Sequence, residues 1–137
     1  MKLNLVTLAV VIIGLLLFAM HAAYLPWTAW RIAGVAIGAP AFLLFVAARI
    51  ELGRAFSVQA KATTLVTTGV YSRIRNPIYF FGVIFTLGII IWTGRPWLLL
   101  IFVVLIPLQV VRSRKEERVL TEKFGTAYLD YKQKTWF

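Results

Sequence analysis

The 137 residues carry fifteen Lys and Arg against five Asp and Glu, a formal net charge of +10, yet 61% of the chain is hydrophobic. That much apolar surface exceeds what a soluble domain of this length buries, and the positive charge fits loops facing anionic lipid headgroups; with no aromatic-interleaved basic domain, a nucleic-acid partner is excluded. The lack of cysteine excludes disulfides, thiolate nucleophiles and thiolate metal sites, and the lone His21 excludes a histidine-built metal centre or dyad.

A membrane-spanning helix needs about 20 mostly apolar residues to cross a ~30 Å hydrocarbon core. Four stretches meet or approach this: residues 3–20, 30–48, 77–92 and 96–111. Their apolar runs are continuous, not alternating, which excludes strands in lipid. The first, with Lys2 before it and small residues after it, shares features with a cleaved signal peptide. Its length and the three stretches that follow favour a membrane helix.

In the second stretch, Gly34 and Gly38 form a small-residue face suited to close helix packing inside the bundle, with homodimerisation the less favoured use. Pro40, just beyond, is expected to kink that helix and open a gap beside it. Asn76 and Pro77 mark the start of the third: asparagine is a favoured N-cap, and proline suits the first helical position because it has no N–H to leave unpaired. The free N–H groups at that helix start, joined by Arg73 and Arg75, suit a carboxylate or phosphate; the plainer alternative is an ordinary helix start with arginines on headgroups.

Gly94, Arg95 and Pro96 allow only a tight connection between the third and fourth stretches. An antiparallel hairpin follows, and it should bring Arg75–Tyr79 beside Arg112–Glu117. Glu116 and Glu117 are adjacent, so on a helix they point about 100° apart and at most one can face a given groove. Surface ion pairs with Arg112 and Arg114, four and three residues earlier, are the structural alternative for them. Leu120, Phe124, Tyr128 and Tyr131 then follow helical spacing, interrupted at Gly125, as an amphipathic tail helix on the membrane surface or against the loop.

Thirteen of the fifteen basic residues fall on one side of the four stretches; only Arg31 and Arg95 fall on the other. All five acidic residues share the majority side. The positive-inside rule therefore places both termini in the cytoplasm. The expected protein is a single all-α integral membrane domain over residues 1–137, with four transmembrane helices, a cytoplasmic loop within residues 52–79 and a tail within residues 112–131.

In their order and spacing, Leu52-Gly53-Arg54 with Phe56-Ser57, Leu65-Val66-Thr67-Thr68-Gly69 with Tyr71, Arg75-Asn76-Pro77-Ile78-Tyr79, Glu116-Glu117, Leu120, Phe124-Gly125, Tyr128 and Tyr131 resemble the isoprenylcysteine carboxyl methyltransferase and phospholipid methyltransferase family. Two departures stand out. The eukaryotic prenylcysteine enzymes have histidine where this chain has Asn76, and the family's usual Arg-Phe-Ile-Pro-like ending is replaced by Thr135-Trp136-Phe137.

The resemblance implies S-adenosylmethionine as cofactor, held among the loop, the following helix start and the tail, with a lipid-like acceptor entering between helices. On that reading Arg75, Asn76 and the N–H groups after Pro77 suit the cofactor carboxylate. Glu116 or Glu117 suits its ammonium or ribose hydroxyls, and Tyr71, Tyr79 and Phe124 pack around the adenosyl group. No metal and no catalytic side chain is assigned, because a sulfonium methyl donor is already activated and needs chiefly positioning and exclusion of water. Pro40, Phe42, Phe45, Phe80 and Phe81 are candidates for a lateral entrance. The competing readings are an NADPH-dependent reductase of the steroid 5α-reductase type, and a small four-helix transporter or scaffold. A proton-coupled carrier would usually place an ionisable group at membrane depth, and this chain places none there.

Overall fold

A computed structural model describes residues 5–57, 61–62 and 65–136. Lys2 and residues 58–60 and 63–64 of the expected loop lie outside the described residues. In chain order the helices are α1 (Leu5–Ala23), α2 (Ala29–Ala55), α3 (Pro77–Thr93), α4 (Ile101–Phe124) and α5 (Thr126–Lys134). Between α2 and α3, β1 (Phe56–Ser57) pairs antiparallel with β2 (Lys61–Ala62), and a 3-10 helix covers Gly69–Ser72. A second 3-10 turn, Pro96–Leu100, leads into α4.

Two spans, Ala29–Gly53 and Pro96–Phe124, are long and apolar enough to cross a membrane. The apolar α3 has 17 residues, which reach about 25 Å at 1.5 Å each. Both long helices outrun the stretches expected from hydropathy. Hydrogen bonding from turn to turn does not stop where apolar sequence stops, so α2 and α4 carry their polar ends past the apolar region as continuous helix.

The packing centre is the α2–α3 seam. A Cβ on Gly34 would lie 2.5 Å from the Trp92 backbone nitrogen, and one on Gly88 would lie 2.6 Å from the Gly38 Cα. Glycine is therefore what lets the two backbones meet, and Gly34 and Gly38 lie against α3 of the same chain. Outward from this crossing, the Phe18 ring packs on Trp92 at 4.8 Å between centroids, and the Arg31 guanidinium carbon lies over the Trp92 ring, 5.7 Å from its centroid.

Among the described residues, the α3 side of α2 around Pro40 is packed. The helix runs through Pro40, Ala41 is buried, Phe42 packs on Phe85 at 5.1 Å, and the Phe45 ring lies over Gly82. Aromatic rings fill the space between α2 and α3 beside the proline. Of the five residues proposed for a lateral entrance, Phe42, Phe45 and the buried Phe81 belong to this seam.

By contrast α4 touches α3 sparsely along its length. The two meet mainly at one end, through side chains, while α5 folds back after Gly125, whose φ of 53° and ψ of −124° suit glycine. The expected tail helix is thus divided: Leu120 and Phe124 belong to α4, and Tyr128 and Tyr131 to α5.

Candidate functional site

At the end of the bundle where α3 begins and α4 leaves the apolar region, side chains distant in sequence converge. The Tyr79 hydroxyl donates to the Glu116 carboxylate, and Asn76 Nδ2 donates to Ser113 Oγ at 2.8 Å. Asn76 does occupy the N-cap position, but its side chain makes no capping bond. Its carboxamide instead reaches across to α4, because a hydroxyl there lies within bonding distance. Pro77 is fully buried beneath this contact.

Glu116 and Glu117 diverge as helical geometry requires. Glu116 faces α3 through Tyr79, whereas Glu117 forms an ion pair with Lys132 on α5. The pairs expected with Arg112 and Arg114 are not formed among the described residues. Partners supplied by packing replaced partners on the same helix, which gain only a few tenths of a kcal/mol at exposed sites.

The loop before α3 is pinned from two directions. From α2, Glu51 Oε2 accepts the Val70 N–H at 3.1 Å, and a Cβ on Gly69, where φ is 59°, would collide with the Glu51 carboxylate. From the tail, the Tyr131 hydroxyl donates to the Tyr71 carbonyl at 2.7 Å. Trp136 then lies alongside Ile74 as a parallel bridge, its N–H donating to the Arg73 carbonyl at 3.1 Å and its carbonyl accepting from Arg75 N–H at 3.5 Å.

Arg75 is half-buried, and its Nε has no hydrogen-bond partner among the described residues. Its positive charge lowers the Tyr128 and Tyr131 phenols, against the larger rise that burial causes. Burial raises the Tyr71 phenol well above its ordinary value, reinforced by Tyr131, Glu116 and Glu51. Burial also raises Tyr128, and with neighbouring Tyr128 it pushes Tyr131 up to about 12. These phenols are therefore neutral donors at physiological pH.

Seven of the eight residues singled out in the sequence, Tyr71, Arg75, Asn76, Pro77, Tyr79, Glu116 and Glu117, lie in this region. Phe124 stands about two turns further along α4, its ring under the Lys123 ammonium at 6.0 Å. Sequence reasoning passed over Glu51 and Lys132 as site elements, and took in Ser113 and Tyr131 only within the span 112–131. Tyr131 had a signal in its helical spacing from Tyr128; Glu51 and Ser113 had none, since only packing gives them partners.

A groove of about 220 Å³ opens beside the polar end, between α3 and α4. Tyr79, Phe80, Val83 and Ile84 face Ile106, Gln109 and Val110 across it. Of the residues proposed for a lateral entrance, Phe80 alone lines it; Pro40 belongs to α2, on the other side of α3. Tyr79 belongs to both features, with its ring in the groove and its hydroxyl on Glu116.

These features define a helical membrane protein whose charged and hydrogen-bonding groups gather at one end of the bundle, next to an apolar groove. A family model described as phospholipid methyltransferase matches residues 9–127. The chain belongs to that family, and is thereby a methyltransferase acting on a lipid-like substrate. No curated protein and no solved structure matches the chain.

Proposed function

We propose that the protein transfers a methyl group from S-adenosylmethionine to an amphiphilic acceptor at the cytoplasmic face of the membrane. The observation that carries this reading is the meeting of α3's first turn with Ser113–Glu117, through Tyr79–Glu116 and Asn76–Ser113, at the mouth of a groove between helices. Four membrane crossings with both termini cytoplasmic put that end where a soluble cofactor reaches it, on the side holding thirteen of the fifteen basic residues.

The residues fit the cofactor's chemistry. Arg75 Nε is buried without a hydrogen-bond partner among the described residues, and the N–H groups of Ile78 and Tyr79 lie in the first turn of α3, where a helix offers no internal acceptor. Together with Asn76 they suit a carboxylate at the positive end of the helix dipole. Glu116 or Glu117 suits an ammonium or ribose hydroxyls, with Lys132 giving way if Glu117 is the one engaged. Tyr71 and Tyr79 border the adenosyl group from the loop and α3, and Phe124 from the tail.

When bound, S-adenosylmethionine supplies a methyl group on a sulfonium, a leaving group that needs no nucleophilic side chain. The protein's part is to hold the acceptor in line and keep water out. A prenylated cysteine carboxylate, a phospholipid amine and an apolar thiol all meet the requirement of an apolar anchor with a nucleophilic head.

Titrating the purified protein with S-adenosylmethionine and separately with NADPH tests the reading. Binding of the first and not the second is expected; the reverse result would establish the reductase alternative. Incubation with methyl-labelled S-adenosylmethionine and native lipid extract should then move label into the organic phase. Label passing only to water-soluble acceptors would refute an amphiphilic substrate.

A further inference from the structure

The turn Gly69–Ser72 is fastened by a carboxylate from another helix. Thr68 stands at the N-cap position of this turn, with a hydroxyl of the kind that caps locally, yet its side chain makes no capping bond. Glu51 of α2 takes that place and accepts the Val70 N–H at 3.1 Å, across 19 residues of sequence. The fit is close. A Cβ on Gly69 would lie 2.5 Å from the Glu51 carboxyl carbon, so the carboxylate occupies the space that any side chain at 69 would need.

Val70 passes this hold along the chain. Its carbonyl accepts the Ile74 N–H at 3.3 Å, so both the buried Tyr71 and the residue before Arg75 are fixed relative to it. Other bonds of the segment lead to the tail, from the Tyr71 carbonyl to Tyr131 and from Arg73 and Arg75 to Trp136. Glu51 instead ties the segment to α2, which meets α3 at the glycine seam. The loop is thereby referred to the same helix pair that carries the α3 start.

We infer that Glu51 is a positioning residue for methyl transfer: its bond to Val70 holds Tyr71 and Arg75 at the separation that grips the adenosyl and carboxylate ends of the donor. The inference rests on reading those two residues as contacts of S-adenosylmethionine. Glu51 acts through the loop, because its carboxylate is turned onto Gly69 and Val70. A binding constellation has to be held to within about 0.5 Å, so a loop released from α2 loses affinity for the donor even where the helices stay folded.

Calorimetric titration of the full chain in phosphatidylcholine nanodiscs with S-adenosylmethionine tests this. Glu51→Ala should raise the Kd about fivefold, the loss of one hydrogen bond, with helical circular dichroism retained. Glu51→Gln, whose amide oxygen accepts the same N–H, should recover most of that loss. Gly69→Ala drives the carboxylate off the turn from the other side and should also weaken binding. In the Gly69→Ala background, Glu51→Ala should then add about twofold or less, since both changes break one contact.

Affinity undiminished in Glu51→Ala, even beside a lowered unfolding midpoint, overturns the inference, because the bond would then serve the fold alone. Glu51→Gln as weak as Glu51→Ala overturns it by assigning the effect to charge, and so does a full fivefold loss in the Gly69→Ala background. If Glu51→Ala does not fold, Gly69→Ala decides by itself: it breaks the contact with Glu51 in place, and undiminished affinity there overturns the inference. The unmodified protein separates this from the underlying reading. Binding of S-adenosylmethionine by it leaves the variants to decide the role of Glu51, whereas no binding refutes the cofactor site and the inference with it.

Discussion

The Tyr79 hydroxyl rests on the Glu116 carboxylate although 37 residues and an entire helical hairpin separate them in sequence. The bond joins the α3 start to α4 at the one end where these helices meet closely. A double-mutant cycle between Tyr79→Phe and Glu116→Gln, read as affinity for S-adenosylmethionine, should give a coupling of about 1 kcal/mol. Strict additivity of the two changes would show that the pair does not act as a unit in the site.

Arg75 and Glu117 approach the same region, one with an Nε that has no hydrogen-bond partner among the described residues and the other held by Lys132. Arg75→Ala and Glu117→Ala should each weaken S-adenosylmethionine binding by about 1–3 kcal/mol, the range for loss of a charge-assisted hydrogen bond. Helical circular dichroism should be unchanged. Calorimetry with unaltered affinity in both variants would reduce the two clusters to surface ion pairs.

Gly88 and Gly82 lie on the same helix but differ in what a methyl group would meet. At Gly88 the added Cβ runs into the Gly38 backbone at 2.6 Å, whereas at Gly82 it makes ordinary contact with the Phe45 ring at 3.8 Å. Backbone cannot swing aside as a side chain does, so overpacking at Gly88 outweighs the roughly 1 kcal/mol gain in helix propensity. Gly88→Ala should destabilise the protein by about 1–3 kcal/mol, and Gly82→Ala should be neutral or stabilising. Unfolding curves of equal midpoint would contradict the close approach of α2 and α3.

The native chain has no cysteine, so single cysteines report topology cleanly. Arg95→Cys, between α3 and α4, and Lys134→Cys, at the end of α5, should react with an impermeant maleimide from opposite sides of a sealed vesicle. Reaction of both from one side would rule out the four-crossing arrangement.

The tail clasp should open in alkali. The Tyr131 pKa in the folded chain is pushed up to about 12 from an ordinary 10.0, so folding favours the protonated phenol. Its contribution is complete below pH ~10, the ordinary value, and is lost as the pH rises toward ~12. Amide exchange at Arg75 and Trp136, whose bonds hold the tail to the loop, should accelerate over that window. Tyr131→Phe should raise exchange there at all pH values, by about 1 kcal/mol of lost hydrogen bond, and diminish the tyrosine-linked step. An alkaline step undiminished in that variant would assign it to another group.

What sequence alone determined about this protein is what depends on neighbours along the chain. Continuous apolar runs require helices because lipid satisfies no backbone group, and Asn76-Pro77, Gly94 and Gly125 end or begin helices through local geometry alone. The short turn at Gly94 even implied that the two polar clusters meet. Only the tertiary structure decided how their side chains pair. Asn76 leaves its own helix start for Ser113, Glu116 takes Tyr79 instead of Arg112, and Glu117 takes Lys132 instead of Arg114. Same-helix pairs are legible from spacing but weak, and a partner on another helix displaces them whenever packing brings it within reach. The groove was invisible for the same reason: Pro40 pointed to space beside α2, but where space is left depends on the rings around it, and Phe42, Phe45 and Phe85 fill the α2–α3 side while sparse contact between α3 and α4 leaves the other open.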